Sequence, residues 1–223
     1  MRRVMGSGFN SPCPAQLRVR LDDLPREFVE ALFWARRRLV EGAVRGRFDP
    51  VDLLRLAPRM APMVATHGPA GLNVAPFMVG FAVREELLGE TISELRGFLE
   101  KGGDTSDAAK LLLRLIYDPE RVDPLTLVTH LMSKGRTWEN VRATGEASLG
   151  FLIPPDEGAY EVKASAEIHE SGPWYEYANL LHDVMHARPG EERTHPWCPA
   201  LVFRVREIYD KGYRALGRRI FPP

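Results

Sequence analysis

Cysteine is scarce. Cys13 and Cys198 are the only two in 223 residues. Two cysteines make no disulfide framework, so buried free thiols in a reducing, cytoplasmic compartment are expected. Long apolar runs are missing as well. No stretch approaches the roughly 18 apolar residues that a membrane helix needs, so no membrane role is expected. Met1-Arg2-Arg3 is followed by Gly6-Ser7-Gly8 with no apolar segment behind it, and no secretory leader is expected. Charge of one sign is also lacking. Thirty basic residues balance thirty acidic ones, and the formal net charge is zero. Chains that wrap nucleic acid or lie on anionic membranes usually carry a basic excess, so both partners are disfavoured. No internal repeat, glycine-rich phosphate loop, Ser/His/Asp order or paired-carboxylate motif stands out.

What remains is an ordinary globular composition, 44% hydrophobic and 27% charged. The length allows one substantial core, or a core with an appended subdomain.

The local patterns change along the chain. Leu17 to Leu21 alternates and reads as a short edge strand. Asp23 and Pro25 can start a helix carrying Phe28, Leu32, Ala35, Leu39 and Ala43 at helical spacing. Arg36, Arg37 and Arg38 are expected mostly on its polar, solvated side. With Arg45 and Arg47 they could suggest a nucleic-acid or acidic-partner surface, but no reading motif accompanies them. Asp49-Pro50 starts a second short helix that Pro58 stops. A hairpin follows: Met63–His67, a turn, and a long strand over Leu72–Val83. Residues 85–117 return to two helices, with Leu88, Ile92, Leu95 and Leu99 on one face and Asp104 capping the second. Strands are expected at Leu125–Thr129, Ala147–Ile153, Tyr160–Glu170 and Ala200–Tyr209. Helices are expected at Thr137–Thr144 and Trp174–His186. The sum is an α+β protein with an antiparallel sheet, and closure into a barrel would remove exposed strand edges.

One segment carries chemistry. Between a strand ending at Thr129 and a helix starting near Thr137 lie Ser133, Lys134, Gly135 and Arg136. A helix N-terminus offers unpaired N–H groups and the positive end of a dipole. Lys134 adds a point charge, and Arg136 can give two parallel hydrogen bonds to phosphate oxygens. Gly135 lets the backbone approach closely. These are the parts a phosphate monoester needs. A solvated basic loop before a capped helix would look the same.

The run Ser133–Ala147 resembles the segment that, in flavin-reductase-like proteins, joins a barrel strand to a short helix and the next strand. Thr129 and Ser133 fit the strand-end Thr and later Ser of pyridoxamine-phosphate-oxidase-like proteins. Leu72-Asn73-Val74-Ala75-Pro76-Phe77 is similar to that superfamily's early Pro-x-Val-Ala-Pro strand. Val162–Ile168 resembles its late Val-x-Gly-x-Ala-x-Val strand. The resemblance covers roughly residues 60–84 and 124–210. It implies an antiparallel split β-barrel over residues 59–210 that binds FMN between two subunits of a homodimer. It places the FMN phosphate on Ser133, Lys134, Arg136 and Thr137. The ring then lies along Asn73, Val74, Ala75 and Pro76, near Thr129 and His130. The activity implied is a flavin-dependent oxidoreductase acting on a small molecule, its substrate unnamed. His130 is the nearest candidate for acid–base work, beside a plainer role as a hydrogen-bonding cap. Residues 1–58 form an N-terminal helical extension outside the common core. Residues 85–123 form a two-helix insertion that could cap the pocket, build an interface or block the site. Residues 211–223 are a C-terminal tail. Some members of the superfamily bind F420 or haem, and some bind no cofactor.

A second reading is a non-catalytic split-barrel module, cofactor-free or zinc-stabilised, that binds a partner protein. His182 and His186 lie one helical turn apart, and His195 and Cys198 follow. Together they could hold zinc tetrahedrally, although an exposed polar helix face with an unrelated His195 explains the same residues.

Overall fold

The computed structural model describes residues 19–47, 51, 56, 59–153, 158–186, 196–215 and 217–222. Of the expected short helix after Asp49 only Val51 and Leu56 are described, both helical, and the Leu17–Arg18 part of the edge strand lies outside the described residues. Leu21–Asp23 forms a 3₁₀ turn instead of continuing a strand. The Asp23 carboxylate accepts the Arg20 amide at 2.7 Å and closes the turn.

The first helical segment is continuous in path. It comprises α1 (Arg26–Val29), a π-helical turn (Glu30–Trp34) and α2 (Ala35–Val44). Phe28 is fully buried and meets Phe81, Phe151 and Tyr160 edge-on, with centroids 5.1–6.1 Å apart. These rings come from three strands, so the helical extension plugs the barrel core.

The strands are β1 (Met63–Thr66), β2 (Asn73–Pro76), β3 (Gly80–Val83), β4 (Val122–His130), β5 (Glu146–Ile153), β6 (Gly158–His169), β7 (Ala200–Asp210) and β8 (Arg218–Phe221). They form one sheet in the order β2-β1-β5-β6-β7-β4-β3, with β8 also on β7. All pairings are antiparallel. The architecture is therefore an α+β antiparallel split barrel. The strand β8 arises from the expected tail and extends the β7 ladder beyond the part that β4 covers.

The long strand expected over Leu72–Val83 is two strands. Pro76 has no amide to donate, so the ladder with β1 ends at its pairing with Met63. The chain then crosses through residues 77–79 to pair with β4 as β3. The two outermost strands of the sheet are thus successive pieces of one chain path, and the sheet is not closed by hydrogen bonds between them. The crossing is tied down: Phe77 N–H donates to the Pro62 carbonyl at 3.2 Å and Val79 N–H to that of Met60 at 3.0 Å. Thr129 Oγ1 donates to the Met78 carbonyl at 2.6 Å.

The remaining helices are α3 (Leu88–Lys101), α4 (Thr105–Leu115), α5 (Arg136–Thr144) and α6 (Pro173–His186). Asp104 caps α4 through the Asp107 amide at 2.8 Å, as its position suggests. In the insertion, α4 packs on α2 and α3 on α6. No helix among the described residues is long and apolar enough to cross a membrane.

Candidate functional site

Strand β2, the end of β4 and the start of α5 converge on one cavity of about 1420 Å³. Of the residues singled out from sequence, Asn73, Ala75, Pro76 and Thr129 line it. So do His130, Ser133, Arg136 and Thr137. Val74 and Lys134 do not. The other walls come from the additions to the barrel, Leu39 and Val40 of α2 and Ala109 and Leu112 of α4, and from Leu181 and Met185 of α6. The insertion therefore walls the cavity.

At one end α5 begins. Gly135 is its extended N-cap residue, and no side chain caps the first turn. Its leading N–H groups are left open to a ligand, with the dipole's positive end behind them. Arg136 and Ser133 are exposed here, and among the described residues no carboxylate pairs with Arg136. Thr137 is buried, and its hydroxyl accepts from Asn73 Nδ2 at 2.8 Å. That bond fixes β2 against the helix start.

Lys134 is turned elsewhere. Its ammonium pairs with Glu170, and it lies 5.6 Å from the Trp138 ring centre. Arg142 reaches the same carboxylate at 3.5 Å and stacks over the same ring at 4.7 Å. Lys134 foremost, with Arg142, holds the Glu170 carboxyl below the usual range. Strand alternation explains Val74. Its ladder partner is Ala65, and both face away from the core, leaving Val74 57% exposed. Asn73 and Ala75 face inward.

His130 ends β4 beside α6. Its ring meets that of His182 edge-on at 5.0 Å, and His182 lies 4.5 Å from His186. All three imidazoles line the cavity. Among the described residues no group of three or more His, Cys, Asp or Glu side chains is placed to hold a metal. His195 lies outside them. Cys198 is buried, its sulfur 3.4 Å from the Pro196 carbonyl. Its backbone N–H and C=O are both engaged by the Asn179 side chain, at 3.0 and 2.8 Å.

Two residues escaped the sequence reading. Asn140 is fully buried. It donates to the Gly71 carbonyl at 2.7 Å and to Thr66 Oγ1 at 3.3 Å, and accepts from the Ala70 amide at 2.9 Å. This one side chain binds the β1–β2 turn to α5. A methyl on Gly68 would stand 2.9 Å from its Oδ1, so only glycine fits there. Asparagine inside a helix gives no sequence signal for such a role.

Arg36 is the other. It was expected on a solvated face, but it is 9% exposed and lines the cavity. Nη2 donates to the Val79 carbonyl at 2.5 Å. Gly80 leaves room for the head group: a Cβ there would lie 3.0 Å from Nη1. Burial lowers the guanidinium's pKa, against a raising influence from nearby Tyr117. The signal was present in the spacing, since Phe28, Leu32 and Arg36 are successive i, i+4 positions on the buried stripe. Arg37 and Arg38 do reach carboxylates, those of Glu41 and Glu30.

Solved structures similar to this chain include the following three. HupZ of Group A Streptococcus is 15% identical over 73% of this chain and 91% of its own, with a TM-score of 0.46. An FMN-binding protein of Syntrophomonas wolfei is 11% identical over 85% and 95%, with a TM-score of 0.39. A pyridoxamine 5'-phosphate oxidase-related, FMN-binding protein of Nostoc punctiforme is 8% identical over 74% and 85%, with a TM-score of 0.37. No protein-family model matches the chain, and no curated protein sequence does.

Removing the Asn140 amide leaves buried backbone groups unpaired. Asn140→Ala is expected to cost about 1–3 kcal/mol in urea unfolding and to loosen the α5 start. An unchanged unfolding midpoint would show that the turn does not depend on this side chain.

Proposed function

We propose that the cavity binds FMN and that the protein is a flavin-dependent oxidoreductase acting on a small molecule. One observation carries the reading: an open, cationic helix start and an inward strand wall face the same cavity. The donor set fits a phosphate monoester. The leading N–H groups of α5, the Ser133 hydroxyl and the Arg136 guanidinium can all donate to phosphate oxygens. The adjoining wall suits a flat ring. Ala75, Pro76, Phe77 and Val128 offer apolar surface there, with His130 at the end of β4.

The flavin, when bound, supplies the hydride and electron chemistry. The chain's own residues bind, orient and exclude water. Asn73 and Thr137 hold the strand and the helix start in register through their 2.8 Å bond. Thr129 fixes the crossing through the Met78 carbonyl. α2, α4 and α6 cover the rest of the cavity, mostly with apolar side chains beside Arg36, His182 and His186. A cytoplasmic location accords with this chemistry and with the scarcity of cysteine.

A homodimer belongs to the same proposal. On the outer face of β2-β1-β5, Val74, Met63 and Leu152 are 57%, 49% and 62% exposed. Ladder pairing sets them on one side of the sheet. Such a face needs a cover.

Flavin fluorescence titration tests the site. Arg136→Ala is expected to weaken FMN binding about tenfold or more, because a charge-assisted bond to phosphate is lost. Lys134→Ala, whose ammonium serves Glu170, is expected to change it less than about threefold. Full affinity in Arg136→Ala would move the phosphate elsewhere. In sedimentation, Val74→Asp is expected to convert a dimer to a monomer, and a wild-type monomer would refute the dimer.

A further inference from the structure

The flavin reading leaves Arg36 unused. Its guanidinium is buried in the cavity wall, one amino nitrogen bonded to the Val79 carbonyl. Its Nε is buried and meets no hydrogen-bond partner. No carboxylate pairs with it among the described residues. Arginine cannot shed its proton in a protein, so the charge remains. A buried cation normally has a counter-charge, and this one faces a cavity.

Its surroundings define what could supply that charge. Around it lie Phe33, Leu39, Val40 and Met60, with the buried phenol of Tyr117 close enough to interact electrostatically. Among the described residues that line the cavity, Arg36 and Arg136 are the only lysines or arginines. Arg136 opens α5, whose Thr137 is bonded to Asn73, whereas Arg36 is bonded to Val79, six residues further along the chain. One cation in an apolar wall is balanced by one negative charge. The amino nitrogen that Val79 does not take, Nη1, keeps its N–H groups for a carboxylate oxygen.

We propose that Arg36 is the recognition site for the carboxylate of an apolar monocarboxylic acid, the substrate class of this cavity. The carboxylate accepts from Arg36, and its hydrocarbon body lies along α2 and α4. This deepens the flavin reading of the same cavity, yet the binding itself needs no flavin.

The test is calorimetric titration of the full-length chain, without added flavin, using octanoate and its uncharged twin octan-1-ol. Octanoate is expected to bind saturably, at least about tenfold more tightly than octan-1-ol. Arg36→Met is expected to weaken octanoate at least about tenfold while leaving octan-1-ol unchanged. Arg136→Ala is expected to leave octanoate unchanged. No octanoate binding, equal affinity for acid and alcohol, or loss on Arg136→Ala in place of Arg36→Met would overturn the proposal. If Arg36→Met does not fold, the wild-type acid and alcohol decide, with Arg36→Lys as the second variant. Octanoate binding without FMN binding sinks only the flavin reading. FMN binding without octanoate binding sinks only this one.

Discussion

The structure turns on a crossing of three residues. Between Pro76 and Gly80 the chain leaves one end of the sheet and joins the other. Extended chain that crosses a gap carries backbone groups with no ladder to satisfy them, and such groups are costly when buried. Four of the six groups on residues 77–79 have named partners. The Phe77 and Val79 amides find carbonyls of residues 62 and 60. The Met78 carbonyl takes the Thr129 hydroxyl, and the Val79 carbonyl takes the Arg36 guanidinium. Barrel and cavity are consequences of the same crossing, because the residues that hold it also line the cavity.

This joins the helical additions to the barrel. α2 brings Arg36 to the crossing, and Phe28 upstream fills the core between β3, β5 and β6. α4 of the insertion packs on α2 and closes the same side. Without these helices the cavity would lose its apolar wall and much of its depth. The barrel offers a phosphate end and a ring wall, and the additions shape what else can enter.

Much of this was legible in the sequence. Period-two alternation marked β6, and the Asp104 cap marked α4. The Thr129–Thr137 segment was placed correctly as strand end, loop and helix start. What failed has physical reasons. Leu72–Val83 reads as one strand because its side chains after Asn73 are all apolar, while the break is set by the missing amide of Pro76. Lys134 and Arg136 look equivalent in sequence, but Glu170, thirty-six residues away from Lys134, claims the lysine. Val74 follows Asn73 on a strand, so alternation turns it outward. Arg36 was assigned by residue type to water, although its spacing put it on the buried stripe. Asn140 acts through contacts more than sixty residues distant, which no local pattern shows.

The central claim is that one cavity holds a phosphate at the α5 start and a flat ring along β2. The most direct measurement compares FMN with riboflavin, which carries the same ring and no phosphate, by fluorescence quenching on the wild-type protein. The account predicts saturable FMN binding at least about tenfold tighter than riboflavin. Equal affinities would contradict the phosphate site, and no binding of either would contradict the flavin cavity itself.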